Sequence, residues 1–60
     1  MDGTKRKVVS LMHLDALMKL SVKEFCNANG DVFFLDMIMD TPLRYTIAQI
    51  EKGDLFYITQ

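Results

Sequence analysis

The sequence predicts an α+β fold, with one long amphipathic helix packed on a three-stranded antiparallel β-meander. Three observations predict it. Apolar residues recur at steps of three and four between Leu11 and Asn29. The run Val32-Phe33-Phe34-Leu35-Asp36-Met37-Ile38-Met39 is apolar except for one charge. Two turn signals, Asp40-Thr41-Pro42 and Glu51-Lys52-Gly53-Asp54, then punctuate the rest of the chain.

Residues 1–7 read as a flexible basic lead-in, and residues 8–60 as a single small α+β domain. The β-branched pair Val8-Val9 would let residues 4–9 add a short edge strand. In the helical segment, Leu11, Leu14, Met18, Val22 and Phe25 form one stripe, widened by Leu17, Ser21 and Ala28. Asp15, Lys19, Lys23 and Asn27 form the opposite face. This is the period of an amphipathic helix. Ser10 caps its start by accepting from a free backbone N–H, and Gly30 closes its end in the left-handed conformation. A competing reading breaks the segment at Ser21, where Ser21-Val22-Lys23-Glu24 matches a capping box. The continuous stripe favours one helix.

As a strand, Val32 to Met39 places Phe33, Leu35, Met37 and Met39 on an uncharged face toward the helix. Val32, Phe34, Asp36 and Ile38 point the other way. Pro42 suits the following turn because it cannot donate to a sheet ladder. Tyr45, Thr46 and Ile47 favour a second strand over Leu43–Ile50. Gly53 takes the positive-φ position of a bulged hairpin turn, and Leu55–Thr59 closes the meander. An alternative order, ααβαβ, makes residues 42–52 helical. Thr41-Pro42 would then open the helix, Gly53 would stop it, and Leu43, Ile47 and Ile50 would form its stripe. A third reading is all-helical, with Asp31 capping a third helix.

The second sheet face carries the functional expectation. It would collect Val32, Phe34, Ile38, Ile50, Phe56 and Ile58, with Asp36, Arg44 and Thr46 as polar members. A contiguous exposed apolar patch marks an interaction site, unless the N-terminal segment folds over it. Asp36 and Arg44 would pair on the diagonal and set orientation, since a buried charge is costly unless paired. Size points the same way. A chain of 60 residues buries only roughly 60% of its unfolded surface. Small folds therefore use disulfides, a metal or oligomerisation as a staple. Cys26 is alone and no Cys/His cluster suggests zinc. Oligomerisation or partner binding is what remains. Met12, Met18, Met37 and Met39 read as adaptable fillers of core gaps.

Composition disfavours other classes. Seven basic and eight acidic side chains leave a net charge of −1, which gives no strong field for nucleic acid or a membrane. Lys5-Arg6-Lys7 is the one basic run. It reads as a solvated tail or, in the alternative function, as a nucleic-acid contact aided by Phe34 and Phe56 stacking on bases. The stretch Leu20 to Cys26 with Gly30 resembles the first half of a helix-turn-helix. It departs from that motif at Asn29, Asp31 and Asp36, where apolar residues are needed. His13, Asp15 and Lys19 interrupt any secretory apolar region, and no run approaches the roughly 20 apolar residues of a membrane span. One unpaired cysteine fits a cytoplasmic protein.

No reaction is indicated. His13 is isolated, and Asp36 and Asp40 in a strand would stand about 13 Å apart. Cys26 reads as a small apolar residue. No phosphate loop, metal-ligand spacing or nucleophile motif occurs, so neither a cofactor nor a metal is expected. The expectation is a small non-enzymatic regulator, inhibitor or adaptor, of the kind that serves as an accessory protein in bacteria and phages. Its partner would be another protein, a second copy of itself, or both.

Overall fold

The computed structural model describes residues 5–58. The described elements are β1 (Lys5–Lys7), α1 (Leu11–Lys19), β2 (Glu24–Cys26), β3 (Val32–Phe34), α2 (Leu35–Asp40), α3 (Leu43–Lys52) and β4 (Phe56–Ile58). The α+β class is correct. Among the described residues, however, three helices and a four-stranded antiparallel sheet replace the single helix and three-stranded meander. The strand order is β1-β4-β2-β3.

Ser10 caps α1 as the sequence predicts, accepting from the His13 N–H at 3.1 Å. The His13 ring also reaches back: its Nδ1 accepts from the N–H of Val9, the residue before the cap, at 3.1 Å.

The helix stops at Lys19, not at Asn29. Ser21 adopts φ 65°. Its N–H reaches the Met18 carbonyl, and the Val22 N–H reaches that of Leu17. These two bonds are a Schellman closure. Val22 packs against the core to which Leu17 belongs, in keeping with the apolar contact that often accompanies this motif. The stripe that seemed continuous past Ser21 therefore belongs to two elements. Phe25 and Cys26 lie on β2.

β2 and β3 form a hairpin, pairing Glu24 with Phe34, Phe25 with Phe33 and Cys26 with Val32. Gly30, expected to end a helix, serves this hairpin's loop at φ 90°. Asn27 braces the loop. Its side-chain oxygen accepts the Asp31 N–H at 3.0 Å, and its amide donates to the Asp31 carboxylate at 3.2 Å.

The expected strand over residues 32–39 ends after Phe34, and Leu35–Asp40 is helical. A short apolar run is compatible with either state. Here the burial of Ile38, three residues after Leu35, favours the turn of helix. Thr41 closes it, donating its hydroxyl to the Met37 carbonyl at 2.7 Å. Thr41 is extended, at ψ 141°, as the residue before a proline prefers.

Residues 43–52 follow the alternative reading and form α3, with Pro42 at its N-cap position. Gly53 stops it at φ 74°. The Asp54 N–H bonds back to the Gln49 carbonyl and that of Gly53 to Ile50, which makes a second Schellman closure.

The core is Val8, Leu14, Leu17, Phe25, Ile38 and Leu55, with Phe25 and Val8 fully buried. Met18 packs against it, but Met12, Met37 and Met39 are exposed. The core-filling role expected of the four methionines therefore holds for Met18 alone.

Candidate interaction surface

Successive side chains of a strand point to opposite faces, so the register sorts the sheet into two surfaces. Arg6, Tyr57, Phe25 and Phe33 are paired across one row. Phe25, Phe33 and Tyr57 belong to the core, and α1, α2 and α3 all send residues to it: Leu14 and Leu17, Ile38, and Ile50. The helices therefore lie against this face.

The opposite face has no helix on it among the described residues. One row pairs Lys7, Phe56, Cys26 and Val32. In the next, Lys5 pairs with Ile58 and Glu24 with Phe34. Val32 and Phe34 are each 54% exposed. Phe56 and Ile58 are half-buried. Lys5 lies across Phe56, with Nζ 4.9 Å from the ring centroid. Such a cation–π contact also keeps the aromatic face in place.

Four of the eight residues expected at an interface, Val32, Phe34, Phe56 and Ile58, thus share the uncovered face. The other four leave it. Ile38 is in the core, and Ile50 packs against the core from α3. Asp36 and Arg44 are exposed on α2 and α3. No ion pair joins them among the described residues, where the pair that forms is Lys19–Asp15 at 3.3 Å. Thr46, assigned to this face in the strand reading, is buried on α3.

Sequence reasoning missed Cys26, which is 2% exposed and lies between Val32 and Phe56. It also missed that Lys5 and Lys7 border the same apolar rows. No local signal marks Cys26 as a strand residue, because Val22 and Phe25 continue the helical spacing.

The two sheet edges differ chemically. β1 is an edge of three cations, a device that discourages strand addition. β3 is an edge of valine and two phenylalanines, with no charge of its own.

His13 is occupied at the cap of α1, and its ring meets Tyr57 edge-on at 5.4 Å. Asp36 and Asp40 are one helical turn apart on α2 and closer than a strand would hold them, yet both are exposed. Among the described residues no group of three His, Cys, Asp or Glu could hold a metal ion. None of their helices is long and apolar enough to cross a membrane. Comparison with known proteins gives no matching family model, curated sequence or solved structure.

Proposed function

We propose that this protein is a non-enzymatic protein–protein interaction module, a small regulator or adaptor that works through its open sheet face. One observation carries the reading. The register gathers Val32, Phe34, Phe56 and Ile58 on the side of the sheet away from α1, α2 and α3. The first occupant we assign to it is a second copy of the chain, because a domain this small gains stability by covering such a surface. Cys26 is free and buried, which fits a reducing, cytoplasmic setting.

Size sets the strength. Four strands about 4.8 Å apart and three residues long make a face of roughly 19 by 10 Å. That belongs with the small, transient interfaces. The dimer should therefore dissociate on dilution. In a dilution series followed by amide NMR, the shifts should concentrate in β3, β4 and Cys26. Shifts confined to α2 and α3 would place the contact elsewhere and defeat the proposal.

A second reading has an observation of its own. Lys5 and Lys7 border the rows that hold Phe34 and Phe56. Cations beside aromatics on a sheet can hold single-stranded nucleic acid by stacking. Fluorescence anisotropy with a labelled oligothymidine separates the two. Nucleic-acid binding would weaken steeply with added salt, whereas apolar self-association would not.

A further inference from the structure

We propose that a cavity on the helical side of the molecule is a binding site for a small amphipathic amine. The cavity is about 260 Å³ and lies between α2, α3 and the chain just before β4. It is separate from the open sheet face. Phe33, Ile38 and Leu55 supply apolar lining, and Thr46, Gln49 and Asp54 supply polar atoms.

Thr46 is 6% exposed and lines this cavity. A threonine hydroxyl can both donate to and accept from a bound molecule.

The charge of the lining selects the ligand. Among the described residues no lysine, arginine or histidine lines the cavity, whereas Asp54 does. An anion would find no counter-charge and would meet a carboxylate. One Asp54 oxygen accepts the Ala28 N–H at 2.9 Å, which holds the group in place and leaves its second oxygen for a donor. A primary amine on a single-ring apolar body satisfies all three demands: donors for Thr46 and Asp54, a positive charge for Asp54, and hydrocarbon for the apolar lining. Sites of this size take fragments rather than drug-sized molecules.

The test is an amide NMR titration of the full chain with benzylamine, benzyl alcohol and benzoate. Saturable shifts are expected at Thr46, Gln49 and Leu55, with benzylamine tightest and benzoate weakest. Thr46→Val should weaken both benzylamine and benzyl alcohol about fivefold, the loss of one hydrogen bond. Asp54→Asn keeps an acceptor for Ala28 and removes the charge. It should weaken benzylamine alone, by about fivefold to tenfold. Spectra that leave the unliganded fold unchanged in Asp54→Asn keep this arm readable if Thr46→Val perturbs folding. Absence of saturable shifts in the millimolar range would show a merely hydrated cavity. Equal affinity for benzoate, or shifts on the sheet face, would equally overturn the proposal.

Discussion

Phe25→Ala should leave most of the protein unfolded at room temperature. Phe25 is fully buried at the centre of the core and of the sheet, flanked by Phe33 on one side and Tyr57 on the other. Truncating a buried phenylalanine costs about 3–5 kcal/mol, part lost transfer energy and part cavity. A chain of 60 residues has a total stability of roughly 3–9 kcal/mol. The loss is comparable with the whole. Urea unfolding followed by circular dichroism should show the native baseline shortened or gone. A midpoint close to that of the unaltered chain would mean that Phe25 is not the hub of the core.

The second large effect is a contrast between two residues that the sequence places on one surface and the fold separates. Ile38→Asp should unfold the domain, because Ile38 is in the core and a carboxylate there removes apolar packing and brings a charge against the buried cluster. An unpaired buried charge is among the few changes that cost several kcal/mol. Phe34→Lys should fold normally. Phe34 is half exposed, so a lysine there keeps its ammonium in water and costs the fold little. It should nonetheless abolish self-association, since the contact would have to strip the water from that ammonium among apolar side chains. Circular dichroism and light scattering on both variants read the two properties separately. Equal loss of helix signal in both would erase the distinction between core and working face.

The part of this arrangement legible in the sequence is the part set by period-2 alternation. Val32, Phe34, Phe56 and Ile58 sit in true strands, and alternation put them on one face. Gly53 and Pro42 are explicit punctuation, and the helix between them was visible as an alternative. The misread parts have no such marks. The stop at Ser21 depends on a left-handed serine, a conformation usually announced by glycine. β2 is three residues long, and its Phe25 falls in phase with the helix before it. The change from strand to helix between Phe34 and Leu35 occurs without any breaking residue. Tertiary burial of Phe33, Leu35 and Ile38 decides it, and burial by distant residues is not written in a local pattern. Asp36, Ile38, Arg44 and Ile50 left the candidate surface for that one reason, since residues 35–52 are mostly helix.

The most direct test of the working face is the molar mass in solution, measured by light scattering from micromolar to millimolar concentration. The chain mass is 6.9 kDa. Self-association through the open face, as proposed, predicts a mass that rises toward twice that value with concentration, and that stays at one chain throughout for Phe34→Lys. A strictly monomeric unaltered chain over the whole range, or a dimer that Phe34→Lys leaves intact, would contradict self-association through the open sheet face.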